Sequence, residues 1–335
     1  MKSLSIIIVC LLSTSVFAQQ NFKRAMKLMG CGFEITVVAN DEEEANAYID
    51  LAVSEITRIE NMISSWDPAS QTSEINNNAG KQPVTVDPEL VQLIERAKKI
   101  SALTEGAFDI SYASMDRIWK FDGSMTEMPS ETAIKNSVAR VGYEKIILNK
   151  ETNTVFLKDE GMKIGFGAIG KGYAADKAKA LLIEKGVSGG IINASGDLNT
   201  WGIQADGSDW YVAIKNPLND EKVFSWMPVK NSSVVTSGNY KKYVQFNGVR
   251  YSHIINPKTG YPSSGVRSVS IFTKNAELAD ALSTSVFVMG LDTGLHFINQ
   301  LKGVECVIID DNYKIHTSNN IQLDNLSSDQ SASED

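Results

Sequence analysis

The run Tyr243-Val244-Gln245-Phe246-Asn247-Gly248-Val249-Arg250-Tyr251-Ser252-His253-Ile254-Ile255 decides the fold class. Two stretches rich in β-branched and aromatic residues flank Asn247-Gly248. Two-residue hairpin turns favour that pair because both turn positions need a left-handed backbone. Strands at 243–246 and 249–255 therefore follow each other with no helix between them. Further β-type runs lie at 210–215, 233–236 and 267–273, a helical run at 277–289 and a last buried strand at 304–309. Towards the N-terminus, a strand at 33–39 closes on Asn40-Asp41, and Asp41 N-caps a helix whose first turn holds Glu42, Glu43 and Glu44. Ala45, Ile49, Ala52, Ile56, Ile59 and Ile63 recur at spacings of three and four, so one face of that helix lies on a core. Asp87-Pro88-Glu89 opens a second helix with Pro at its first position, running to about Leu103. Short β-type runs at 145–148, 154–158 and 162–166 precede a helix from about Lys171 to Gly186, and a strand follows at 190–193. Strands and helices are mixed rather than strictly alternating. That pattern predicts an α+β protein with mixed sheets and flanking helices, not a doubly wound sheet.

Composition narrows the function. The chain has 335 residues, 43% of them hydrophobic and 21% charged, an ordinary globular mixture able to bury a sizeable core. Its 40 acidic side chains outnumber 32 basic ones for a net charge of −8, which disfavours nucleic acid as a partner. Three histidines and three cysteines leave no His-rich metal cluster, Cys-based zinc site or disulfide scaffold to propose. Met1-Lys2-Ser3, an apolar run at 4–12 and Ser15-Val16-Phe17-Ala18 make residues 1–18 a secretory signal peptide, cleaved after Ala18. The apolar run falls well short of the roughly 20 residues that span a bilayer. Val9 precedes Cys10 where lipoprotein signals carry Gly, Ala or Ser, so lipid attachment is disfavoured. The expectation is an exported, periplasmic chain from Gln19, with an acidic, aperiodic tail at 324–335. Cys31 and Cys306 remain, and the sequence alone does not bring them together.

Three segments carry chemistry rather than packing. Gly165-Phe166-Gly167-Ala168-Ile169-Gly170-Lys171-Gly172-Tyr173 reads as a strand running through glycines into a helix. Backbone N–H groups and Lys171 there can meet an anion, although a tight turn with no ligand fits the same residues. It is neither a Walker A loop nor a dinucleotide fingerprint, since no acid follows at the ribose-binding spacing. Asp280 and Thr284 lie four apart on one helical face and offer hard oxygen donors suited to Mg²⁺, or simply a solvated face. Tyr251-Ser252-His253-Ile254-Ile255-Asn256-Pro257-Lys258-Thr259-Gly260 places a histidine where a strand exits into a turn, either structural or able to move protons near neutral pH.

In order along the chain, these segments resemble the ApbE family of FAD:protein FMN transferases. The resemblance begins at Lys27-Leu28-Met29-Gly30-Cys31 and continues through Ile63-Ser64-Ser65-Trp66-Asp67-Pro68, Ser73-Glu74-Ile75-Asn76 and Gly106-Ala107-Phe108-Asp109-Ile110. It includes the glycine segment to Asp176, Ile192-Asn193-Ala194-Ser195-Gly196-Asp197, Thr236-Ser237-Gly238, the histidine turn and Ala279-Asp280-Ala281-Leu282-Ser283-Thr284. It implies that residues 19–323 form a two-lobed domain with a flavin site between the lobes. FAD would be held by Met29, Trp66, Ala107, Phe108, Asp109, Gly165, Lys171 and Ile254, with Trp66 stacked on the flavin. Mg²⁺ would take the Ala168 carbonyl with the side chains of Asp280 and Thr284. Many family members carry an acid where Gly165 stands, and often Asp where Asn256 stands and Tyr where Trp66 stands.

The implied reaction transfers FMN from FAD to a Thr or Ser hydroxyl of an exported acceptor, such as a subunit of a membrane redox complex, and releases AMP. His253 and Lys171 are the catalytic candidates, with Asp109 or a metal-bound water as the alternative base. Two competing readings stand beside it: an FAD pyrophosphatase in which water replaces the acceptor, and an exported FAD-binding protein with no catalysis.

Overall fold

The computed structural model describes residues 19–216, 219–239 and 243–321. The leader at 1–18, with Cys10, and the tail at 324–335 lie outside the described residues. The backbone of the fold is an eight-stranded, wholly antiparallel sheet. Its strands, in spatial order, are β1 (Gln20–Leu28), β2 (Cys31–Ala39), β6 (Gly190–Ala194), β7 (Asp197–Trp201), β10 (Ser233–Gly238), β13 (Val266–Thr273), β14 (Glu305–Asp310) and β15 (Ile315–Thr317). Helices α1 (Glu42–Ile63), α5 (Gly170–Glu184), α6 (Ala276–Met289) and α7 (Leu291–Ile298) cover one face. The expected α+β class follows from this segregation.

Period-two alternation explains the layers. Ile35 and Val37 of β2 point into the helix-side core with Ile49, Ile56 and Ile59 of α1. Val38 points the other way, against Trp210, Val212 and Val229. Those three belong to β8 (Trp210–Asn216) and β9 (Asn219–Val229), a hairpin that closes part of the second face. A separate core forms where Val235, Val269 and Ile271 meet Leu282, Val286 and Phe287 of α6.

Between α1 and α5 the chain makes an excursion that forms the smaller lobe. It contains α2 (Gln71–Asn77), β3 (Val84–Thr85), α3 (Pro88–Leu103), α4 (Glu131–Ser137), β4 (Ile146–Asn149) and β5 (Thr154–Leu157), the three strands pairing as their own sheet. The local readings of the helix starts hold. Asp41 accepts the Glu44 N–H at 2.8 Å and Asp87 accepts that of Glu89 at 2.7 Å, each satisfying an otherwise unpaired first-turn donor. The hairpin forms β11 (Tyr243–Phe246) and β12 (Val249–Ser252) around Asn247-Gly248.

Two expectations need correction. Residues 162–166 form no strand, because backbone groups there are taken by side chains and a loop. Asn76 bonds both the N–H and the C=O of Ile164, at 2.8 and 3.0 Å, and Ser114 does the same for Lys163. The second hairpin strand stops at Ser252 rather than 255, where the chain turns to pair irregularly with 261–263 through Ser263 N–H to Ile254 C=O at 2.8 Å. The run at 304–309 forms β14, the last buried strand as read, and the half-buried β15 follows it at the sheet edge.

Candidate active site

The glycine turn and α6 meet through two carboxylates. Ile169, the N-cap of α5, supplies no side-chain bond to the helix. The Asp280 carboxylate does so from α6, accepting the Gly172 N–H at 3.1 Å. In return, Asp176 on α5 accepts the N–H groups of Ala276 and Glu277 at 3.0 and 2.8 Å, the start of α6. The helices approach so closely that a Cβ on residue 172 would stand 2.1 Å from the Ala276 carbonyl oxygen, which only glycine avoids. Asp176 also accepts from Asn199 of β7 at 2.7 Å, tying the helix pair to the sheet.

Beside this junction Lys171 forms an ion pair with Asp197, the first residue of β7. Asp197 also accepts the Thr236 N–H at 3.2 Å. Burial alone would lower the Lys171 ammonium, but Asp280 and Asp197 outweigh it and hold its pKa above the ordinary range. Burial raises both carboxyls, Asp197 and Asp280, with Lys171 opposing in each case. Two buried carboxylates therefore share one lysine, and the Asp197 charge adds to the penalty on Asp280. That is the setting a divalent cation relieves. Ala168 and Thr284 line the same cleft as Asp280, completing a set of hard oxygen donors. Among the described residues no cluster of three or more His, Cys, Asp or Glu forms a protein-only cage. A single carboxylate with a hydroxyl and a carbonyl instead suits Mg²⁺ that keeps water and substrate phosphate as its remaining ligands. The residues fit the ion.

The cleft has a volume of about 940 Å³, within the size range of small-molecule sites. Its opposite wall comes from the smaller lobe. Ala107, Phe108 and Asp109 line it next to Tyr112 and Ala113. Asp109 N-caps a 3-10 turn (Ile110–Ser114), accepting from Ser111 N–H at 2.7 Å, Ser111 Oγ at 2.6 Å and Tyr143 N–H at 2.8 Å. Its carboxylate is thus committed to holding the wall in place. Trp66 is 79% exposed at the mouth, so it is no core tryptophan, and the Arg117 guanidinium lies 5.2 Å from its ring centroid. His253 and Ile254 line the far side. The Phe121 and His253 rings pack in a T-shape at 6.5 Å between centroids and 79° between planes, and Trp119 Nε1 donates to the Gly260 carbonyl at 2.9 Å. The loop after the 3-10 turn is thereby fastened to the histidine turn.

The ApbE family model matches residues 29–308. The chain belongs to the ApbE family. A relative from Klebsiella pneumoniae named FAD:protein FMN transferase is 29% identical over 290 residues, covering 86% of this chain and 89% of the relative. One of the same name from Treponema pallidum is 29% identical over 315 residues, covering 89% and 87%. The solved structure of an ApbE protein from Thermotoga maritima matches with a TM-score of 0.80 at 30% identity, covering 89% of this chain and 97% of that one.

Of the residues assigned by resemblance to the ApbE family, Trp66, Ala107, Phe108, Asp109, Ala168, Lys171, His253, Ile254, Asp280 and Thr284 converge on the cleft. Met29 and Gly165 are not among its lining residues. Met29 sits in the β1–β2 turn at φ +49° and donates its N–H to Glu60 at 2.9 Å, while the Gly165 N–H bonds the Ile110 carbonyl at 2.8 Å. Cys31 and Cys306 are both free thiols. Sequence reasoning gave no role to Asp176, Asp197, Arg117 or Trp119. Asp197 could have been found from Ser195-Gly196, a turn signal directly before an acid; the 115–121 stretch offers no periodicity to read.

Proposed function

We propose that this ApbE-family protein transfers the FMN half of FAD to a hydroxyl side chain of an acceptor protein and releases AMP. The observation that carries the reading is the convergence of Lys171, Ala168, Asp280 and Thr284 on one side of a cleft whose mouth bears the exposed Trp66. Relatives named FAD:protein FMN transferase support the choice of donor and acceptor class.

In this reading the isoalloxazine lies on Trp66, whose exposed face is available to a planar ring. The pyrophosphate lies towards the N-terminus of α5, where backbone N–H groups and the Lys171 ammonium meet its charge. Ala168, Asp280 and Thr284 would hold Mg²⁺, which would supply further neutralisation of the pyrophosphate. The acceptor oxygen forms a bond to the flavin-side phosphorus as the bond to the AMP oxygen breaks, and a ring nitrogen of His253 takes the acceptor proton. The small lobe and the fastened 115–121 loop keep donor and acceptor in register, and such a displacement is promoted mainly by positioning and charge neutralisation. We also infer export to the periplasm from the leader at 1–18, and hence an exported acceptor.

The test follows AMP release from FAD and Mg²⁺ by the mature chain, with and without an exported protein bearing a candidate acceptor sequence. AMP only with acceptor, together with a covalently fluorescent acceptor band, supports the transferase. AMP and free FMN without acceptor would make the protein a pyrophosphatase. Tight FAD binding with no AMP in either case, unaltered by Asp280→Ala, would make it a binder.

A further inference from the structure

Three hydroxyls beside the cleft form a chain whose direction can be deduced by counting protons. Ser283 Oγ lies 2.9 Å from the backbone carbonyl of Asp280. A carbonyl carries no hydrogen, so Ser283 donates. Ser237 Oγ lies 2.8 Å from Ser283 Oγ, and the single Ser283 proton is already committed, so Ser237 donates to it. Thr284 Oγ1 lies 3.3 Å from Ser237 Oγ. The Ser237 proton is committed in turn, so Thr284 is the donor in that contact. The result is a one-way relay, Thr284 to Ser237 to Ser283 to the Asp280 carbonyl, anchored on a buried serine that has no solvent exposure.

We propose that Ser237 and Ser283 are positioning residues that fix the polarity of the Thr284 hydroxyl: its proton is drawn towards β10, and its lone pairs are left for a divalent cation shared with Asp280. The inference rests on the magnesium reading above and deepens it. A hydroxyl free to rotate can turn its proton towards a cation and must be reoriented before it ligates. One held in this relay is already a pure acceptor on the cleft side. Outer partners of this kind typically change metal affinity by about 10–100-fold. The relay also makes a prediction that simple contact loss does not. Without Ser283, the Ser237 proton is released to donate to Thr284, whose own proton is then pushed back towards the cleft. Ser283 should therefore matter although the structure gives it no contact with the cleft.

The test is Mn²⁺ binding to the full chain, followed by electron paramagnetic resonance in the presence of FAD, with FAD affinity in EDTA and thermal melts as controls. Ser237→Ala should weaken Mn²⁺ by about 10–100-fold, Ser283→Ala by a smaller factor, and the double variant by no more than Ser237→Ala. Ser237→Thr, which keeps the hydroxyl, should restore binding, and melts and metal-free FAD affinity should match the unsubstituted protein. If Asp280→Ala abolishes Mn²⁺ binding while Ser237→Ala and Ser283→Ala bind normally, the relay is wrong and the metal site stands. A loss in Ser237→Ala with none in Ser283→Ala overturns the direction of the chain. Mn²⁺ binding indifferent to Asp280→Ala would instead defeat the metal reading itself.

Discussion

Asp176 and Asp280 exchange caps, each carboxylate accepting N–H groups at the N-terminus of the helix that carries the other. The pair lock α5 to α6 and hence the glycine turn to the face bearing Thr284. Asp176→Ala leaves the Ala276 and Glu277 donors without their partner at a closely packed helix start. It should cost about 1–3 kcal/mol in chemical denaturation. Turnover should fall further than stability explains, because α6 loses its fixed placement against Lys171. An unchanged rate in a folded Asp176→Ala protein would separate the two caps functionally.

Lys171 lies between two buried carboxylates, Asp197 and Asp280, so its removal has a definite pH signature. Lys171→Met should lower turnover by about 10²-fold or more, the scale of losing one charge-stabilising donor. Burial already raises Asp197 and Asp280 above their unfolded values, and without the lysine they rise further. A raised carboxyl binds more protons folded than unfolded, so its contribution to stability falls as pH rises through that window. The variant should therefore melt closest to the unsubstituted protein near pH 4–5 and fall behind it towards pH 7. Parallel melting curves across this range would contradict the assignment.

Glu89 gives the opposite slope. Burial alone would raise it, but Arg58, Tyr173 and Lys177 hold its pKa down at about 2. It accepts from Arg58 at 2.8 Å and from Lys177 at 3.1 Å, joining α1, α3 and α5. A depressed carboxyl stabilises the fold fully above its unfolded value of about 4.5 and loses that stabilisation as pH falls towards 2. Glu89→Gln should remove on the order of 2–3 kcal/mol at neutral pH and flatten the acid limb of stability, with little effect on FAD affinity.

Trp66 presents the reverse balance. At 79% exposure it contributes little to the core, so Trp66→Ala should leave the melting temperature nearly unchanged. FAD affinity should weaken by roughly 0.5–1.5 kcal/mol or more, as expected for losing a stacked aromatic pair, and Trp66→Tyr should restore most of it. Flavin fluorescence quenching reads both. Equal losses for FAD and for ADP, which has no flavin ring, would place the contact elsewhere.

Much of this site could be read along the chain because its signals are local. Asp280 and Thr284 share a face at a spacing of four, and Asp41 and Asp87 stand directly before their helices. Lys171 follows glycines at a helix start. What escaped reading depends on partners far away. Asp176 looks like any acid in a helix interior until α6 arrives 100 residues later. The apolar alternation at 162–166 suggests a strand, yet Asn76 and Ser114 take its backbone groups. Strand β1, with Lys23, Arg24 and Lys27, is a sheet edge whose polar side chains hide its pairing with β2. Ser237 gained meaning only once a carbonyl four positions behind Thr284 fixed the direction of three protons.

The strands of the large sheet lie in space in the same order as in the chain, from β1 to β15, every neighbour antiparallel. A polypeptide emerging N-terminus first can thus add each strand to an edge already in place, with no earlier gap to be reopened. The excursions that leave the sheet and return to it, at α2–β5, β8–β9 and β11–β12, are detours between consecutive additions. Their lengths can drift between relatives without shifting a single register. The cleft, by contrast, draws on residues from Ser65 to Thr284. The last cleft residues thus arrive with α6, ahead of β14 and β15: a nascent protein halted before α6 would own six of the eight strands and lack both Asp280 and Thr284.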